Sequence, residues 1–242
     1  MSRYFLKLSY KGTAYNGFQI QQNAITVQSE IEKVLEIFYK EKISLTGSSR
    51  TDAGVHALEN FFHFDTDVEI EQKHIYNLNA LLSEDIVLID LYQVKDDAHC
   101  RFDANYREYK YFIYQTKNSF LKDRAFFYPY TLDITLMQEA ASLLMQYQDF
   151  SAFSKKHTQV NNFNCSISKS SWIKEDDCLV YNVQSNRFLR GMVRALVATM
   201  LKVGRGQLTI DEFQQLIEQK NSANAFFDAP AHGLFLVKVA YD

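Results

Sequence analysis

An α+β fold of two ferredoxin-like (RRM-like) halves is what this sequence predicts, on three observations. Apolar residues switch repeatedly between strand-like alternation and helix-like spacing. The order strand–helix–strand, strand–helix–strand runs through each half, with one extra helix late. Only 2 prolines occur and no low-complexity segment separates the halves, so no Pro-rich linker divides them. The expected arrangement is a largely antiparallel, extended sheet with helices on one side and the active-site cleft between the halves. The expected domains are residues 1–104, carrying a candidate catalytic loop, and 105–242.

Residues 3–10 alternate as a strand, and a polar loop with Gly12 and Gly17 follows. Ile31, Val34, Leu35 and Phe38 fall at helical spacing, which predicts a helix over 27–41. Residues 43–48 and 58–66 read as strands flanking the loop Ser49-Arg50-Thr51-Asp52-Ala53-Gly54-Val55-His56. A helix over 71–82 and a β-rich run from Ile86 to Val94 close the first half.

The second half opens with a tyrosine-loaded strand over 107–115, then a helix carrying Leu136, Ala140, Leu143 and Leu144. Strands at 165–174 and 178–186 lead into a helix over 187–203, with Val193, Leu196, Val197 and Met200 on one face and a stop at Gly204 and Gly206. Thr209 and Glu212 form a capping box for a last helix, and Leu234–Tyr241 is the closing strand.

Composition narrows the function classes. Hydrophobic residues make up 47% of the chain, enough for a sizeable core, which excludes a disordered chain. No run of about 18 apolar residues occurs, and the first residues read as a strand and not as a signal peptide. The 3 cysteines, Cys100, Cys165 and Cys178, are odd in number and widely spaced, which fits free thiols in a reducing cytoplasm. The net charge of −3 argues against indiscriminate adhesion to nucleic acid. The charge is nevertheless segregated. Arg187, Arg190, Arg194, Lys202 and Arg205 follow one another with no acid between them, whereas acids cluster at Asp65–Glu71 and Glu175–Asp177. The basic run reads either as a solvated helix face or as a nucleic-acid-facing one.

The histidines at 56, 63, 74, 99, 157 and 232 form no metal-binding spacing with one another or with cysteines, so no metal is expected. Phosphate-cradling glycine loops and a serine nucleophile elbow are missing too, so no cofactor is expected. Carboxylate chemistry remains. Asp52 lies in a loop between two strands, two residues after Arg50, with Gly54 allowing a tight backbone. A carboxylate near a guanidinium is favoured in its ionised form and serves as a nucleophile. Taken alone, the same residues are a weak signal, because such loops are usually just turns.

The surrounding motifs separate these readings. Arg50-Thr51-Asp52-Ala53-Gly54-Val55-His56-Ala57 resembles the signature of the TruA family, the tRNA pseudouridine synthases A. Tyr10-Lys11-Gly12-Thr13, Gly17-Phe18-Gln19 and Thr26-Val27-Gln28 resemble its amino-terminal motif. His99-Cys100-Arg101-Phe102-Asp103-Ala104 with Arg107, Tyr109 and Tyr111 resembles its central motif. Phe188-Leu189, Met192-Val193-Arg194 and Ala229–Leu236 resemble its helix motif and closing strand, and the blocks keep the family's order. Ser49, Phe18, Asn60 and Ser83 depart from the family's usual Gly, Trp, Gln and Pro.

The resemblance implies an isomerase that turns uridine into pseudouridine on the 3′ side of the tRNA anticodon arm. It implies no cofactor and a homodimer whose two subunits both contact one tRNA. The implied catalytic residues are Asp52 as nucleophile, Tyr109 stacking on the flipped base and assisting proton removal, and Arg194 pairing with Asp52. Arg50 would displace the target nucleotide and Leu234 would line the uracil pocket. Arg187 and Arg190 would contact phosphates. Apart from the resemblance, Tyr109 reads as a core aromatic of the sheet, Arg194 as a helix-surface charge and Leu234 as a core strand residue. The alternative is a non-catalytic tRNA-binding or folding protein on the same fold, which would have no use for Asp52, Tyr109 and Arg194 together.

Overall fold

The computed structural model describes residues 1–155 and 162–241; His157 of the histidine set lies outside them. The chain is α+β and divides into two compact units, residues 1–105 with 235–242, and residues 106–234. The last strand, expected with the second half, thus counts with the first unit.

In the first unit the central strand is β1 (Ser2–Tyr10). It runs antiparallel to β3 (His56–Thr66) on one side and β4 (Ile86–Val94) on the other. Leu6 and Leu8 of β1 are fully buried, as alternation requires on the core-facing side of a central strand. Helix α1 (Val27–Tyr39) starts at a reciprocal cap: Ser29 N–H donates to Thr26 Oγ1, and Thr26 N–H donates to Ser29 Oγ. It buries Ile31, Val34 and Leu35 and stops two residues before the predicted end, because Lys40 adopts a left-handed backbone. Helix α2 (His74–Leu81) is likewise shorter than 71–82, with turns joining Glu71 to His74 and Gln72 to Ile75 before it.

The strand expected at 43–48 shrinks to β2 (Thr46–Gly47), which pairs antiparallel with β3. The closing strand, labelled β9 (Leu234–Ala240), lies parallel to β3 through His56↔Phe235 and Ala57↔Leu236. Its Val239 N–H is taken by Glu59 Oε1.

In the second unit β5 (Tyr106–Tyr114) and β7 (Ile167–Glu175) flank β8 (Cys178–Ser185), antiparallel on both sides. A short β6 (Phe126–Phe127), which the sequence pattern does not predict, lies parallel to β5. Helix α3 (Ile134–Leu143) is capped by Asp133, whose carboxylate accepts from Leu136 N–H. Helix α5 (Ile210–Glu218) carries the Thr209–Glu212 capping box predicted for it.

Helix α4 (Met192–Gly204) corrects the sequence reading. It starts five residues after the predicted 187, because Gly191 has φ +74 and breaks the right-handed helical path. Arg187 and Arg190 therefore do not lie on a helix. Residues 187–190 form the approach to it, pinned by Lys155 N–H on the Arg190 carbonyl and by the Leu189–Met192 turn. Once begun, α4 is buried nearly all round; Ala195, Leu196, Val197 and Met200 have no exposed surface. No helix among the described residues is long and apolar enough to cross a membrane.

Candidate active site

The course of the loop from Ser49 to Val55 is set by groups outside it. Phe18 N–H donates to the Thr51 carbonyl at 3.1 Å, and the Tyr10 hydroxyl meets Thr51 Oγ1 at 2.8 Å. Asn60, wholly buried on β3, holds both backbone groups of Ser49: its Nδ2 donates to the carbonyl at 2.8 Å and its Oδ1 accepts the N–H at 3.3 Å. The same Nδ2 reaches the Tyr10 hydroxyl at 3.2 Å, so Tyr10, Ser49, Thr51 and Asn60 form one network. Inside the loop, Val55 N–H donates to the Asp52 carbonyl at 3.2 Å. That closes a turn whose third residue, Gly54, has φ +78, a conformation glycine adopts without strain.

A third constraint is close backbone approach. Gly12 N–H donates to His56 Nδ1 at 3.2 Å, and a Cβ on Gly12 would lie 1.9 Å from the Val55 carbonyl oxygen. The His56 ring is buried and stacks on Phe235 with centroids 4.5 Å apart. Ser49, Thr51 and Val55 are buried, Asp52 is half-buried and Arg50 is exposed. The backbone is thus fixed from both ends, while Arg50 stands in solvent and the Asp52 carboxyl is only partly covered. The restraint acts through the loop's backbone and the Thr51 hydroxyl, since the buried Ser49 Oγ has no hydrogen-bond partner among the described residues.

The remaining predicted site residues lie in the second unit. Tyr109 is buried on β5 opposite Val183, its ring edge-on to Phe188 at 5.0 Å. Arg194 is half-buried in the first turn of α4, and its Nε donates to the Ala229 carbonyl at 2.7 Å. The buried Tyr111 hydroxyl donates to the next carbonyl, Pro230, at 2.8 Å. Burial drives the Tyr111 hydroxyl far above the usual tyrosine range, against the opposing effect of the Arg194 charge, so it stays a neutral donor. Two sequence blocks, Met192–Arg194 and Ala229–Leu234, are thereby joined. His232 is pushed below the usual histidine range, first by burial; a bond to the Ala125 backbone and Asp123 oppose this, and Arg194 adds to it. Leu234, also buried, opens β9. Arg187 is half-buried and Arg190 exposed.

Sequence spacing missed one cluster altogether. His63, His99 and Cys100 bring ligand-type atoms within 4.8 Å of one another. Each is engaged in hydrogen bonds: His63 Nδ1 with Cys100 Sγ at 3.1 Å, Cys100 Sγ with the Thr46 carbonyl, and His99 Nδ1 accepting from Arg101 and Phe102 N–H. With Nδ1 accepting, the proton of a neutral His99 sits on Nε2, which does not suit that nitrogen as a metal ligand. The arrangement reads as a satisfied polar knot beneath β2. Tyr10, Gly12 and Asn60 were missed as supports of the Asp52 loop. Gly12 lies within the Tyr10–Thr13 motif, and Asn60 is one of several polar residues of β3, so neither stands out by position.

A family profile described as tRNA pseudouridine synthase matches residues 140–242. Proteins named tRNA pseudouridine synthase A match across the full length. The one from Parabacteroides distasonis is 44% identical over 100% of this chain and 96% of its own. That from Bacteroides fragilis is 44% identical over 100% and 97% respectively. The Staphylococcus aureus protein is 39% identical over 99% and 91%. The chain belongs to the tRNA pseudouridine synthase A family.

Proposed function

We infer that this family member isomerises uridine to pseudouridine in tRNA with Asp52 as its nucleophile. The observation that carries the assignment of Asp52 is the loop, whose backbone is held by Phe18, Tyr10 and Asn60 on one side and abuts Gly12 on the other. A turn serving only to reverse the chain has no need of such external restraint.

The reaction breaks the bond between uracil N1 and the ribose, turns the base and rejoins it through C5; the C5 proton leaves and N1 gains one. The requirements are a nucleophile, a proton acceptor and a slot for the flipped base. Asp52 is the nucleophile in this reading and Arg194 the cation that serves it. Tyr109 stacks on the base and assists removal of the C5 proton, and Leu234 supplies apolar lining. Arg50, exposed beside Asp52, displaces the target nucleotide, and Arg187 and Arg190 contact phosphates. The target lies on the 3′ side of the anticodon arm, the working form is a homodimer, and the compartment is the cytoplasm, to which the three free cysteines are suited. Both halves are read as ferredoxin-like. The first unit supports this, since β1, α1, β2, β3, α2 and β4 follow in order with β3 between β1 and β2.

The test is Asp52→Asn, which keeps the shape of the side chain and removes the carboxylate. Tritium release from tRNA labelled at uracil C5 should vanish while tRNA binding and thermal stability stay near wild type. Wild-type turnover by this variant would remove Asp52 from the chemistry.

A further inference from the structure

Between β5 and α3 the chain forms a strap over residues 115–130, all within the second unit. Its underside is anchored. Leu121 packs against the buried cluster of Tyr114, Ala125, Cys178 and Val180, and Ala125 N–H donates to the Leu121 carbonyl at 2.9 Å. At the far end Tyr128 N–H donates to the Tyr114 carbonyl, and Gln115 Nε2 to the Tyr130 carbonyl. Phe120, directly before the anchored Leu121, is nevertheless 81% exposed, and Asn118 Oδ1 fixes its backbone N–H at 3.0 Å. Tyr130 is exposed as well, with the Arg205 guanidinium 4.0 Å from its ring centre.

Charge accompanies these rings. The strap holds three cations, Lys117, Lys122 and Arg124, against one acid, Asp123, a balance of +2 on a chain whose total is −3. All three cations are exposed. Asp123 is placed by its electrostatic link to His232, whose ring is bonded to the Ala125 backbone and lies in the field of Arg194. The strap belongs to the same compact unit as Tyr109 and Arg194.

We propose that this strap is an RNA-contacting surface, with Phe120 stacking on an unpaired nucleotide and Lys117, Lys122, Arg124 and Arg205 meeting the flanking phosphates. Aromatic platforms interleaved with cations are how proteins hold single-stranded nucleic acid: every base has a face to stack on and every nucleotide a charge to neutralise. A purely apolar partner would leave the cations desolvated and unpaired. The proposal rests on the functional reading above, because the RNA it binds is the tRNA substrate.

The test measures binding of unmodified tRNA to the full chain by fluorescence anisotropy across a salt series. Phe120→Ala should weaken binding about 5- to 100-fold with the salt slope unchanged, and Phe120→Trp should restore it. The double variant Lys122→Gln/Arg124→Gln should lower the log–log salt slope by about 2. Thermal melting of each variant serves as the folding control, and Phe120 and both cations are exposed enough that it should stay at the wild-type value. Wild-type affinity and slope in all variants would overturn the proposal. So would an effect of Phe120→Ala on sedimentation without one on tRNA affinity, since that would make the strap a protein interface. Failure of the wild-type chain itself to bind tRNA would instead sink the functional reading.

Discussion

Replacing Gly12 by alanine tests whether the position of the Asp52 loop governs the rate. The added Cβ would sit 1.9 Å from the Val55 carbonyl oxygen, whereas Cβ atoms essentially never approach closer than 3.0 Å. The missing distance is 3.0 − 1.9 = 1.1 Å, and it has to come from backbone on both sides, since neither partner is a side-chain end. Val55 is three residues from Asp52 and joined to its carbonyl, so the displacement passes directly into the turn that carries the carboxylate. A misplacement of about 1 Å costs on the order of 100-fold in rate. Stability should fall by about 1–3 kcal/mol through overpacking, with the Gly12–His56 hydrogen bond adding about 1. The assay is single-turnover tritium release at saturating enzyme, alongside urea unfolding. Gly206→Ala is the control: it is strained by φ +67 but meets nothing within 4 Å, so it should cost stability and leave the chemical step alone. A wild-type rate constant for Gly12→Ala, or equal rate losses in both variants, would refute the reasoning.

Two other outcomes follow from the structure. Arg194→Met removes the Nε bond to the Ala229 carbonyl and the cation near Tyr111 and His232. It should depress the single-turnover rate much more than tRNA affinity, with partial recovery at higher pH that Asp52→Asn never shows; lost binding with an intact chemical step would make Arg194 a phosphate contact instead. His63 has its pKa lowered to about 4, chiefly by burial, then by His99 and Arg3. The folded state then binds fewer protons than the unfolded one between pH 6.5 and 4, so the stability His63 contributes is present above that window and is lost as pH falls through it. The loss is about 3 kcal/mol at most, and His63→Gln should flatten this part of the urea-midpoint profile; identical slopes for both proteins would dismiss His63 as the cause.

What the sequence determined by itself was short-range. The alternation of β1, the apolar stripes of α1 and α4 and the Thr209–Glu212 box all lie within a few residues of the backbone they order, so their signals survive in a linear reading. The candidate nucleophile was legible too, because the motif Arg50-Thr51-Asp52-Ala53-Gly54 is contiguous in the chain. What only the tertiary structure decided depends on distant partners. The α4 start was missed because Gly191, inside an otherwise helical pattern, adopts φ +74, and the Lys155–Arg190 bond holds the preceding segment off the helix. Asn60 meets Tyr10 across 50 positions, Gly12 meets His56 across 44, and His63 meets Cys100 across 37. None of these pairs leaves a trace in local periodicity, because each joins segments that are far apart in the chain. The sequence thus named the candidate loop, and the packing of β1 against β3 decided what holds it still.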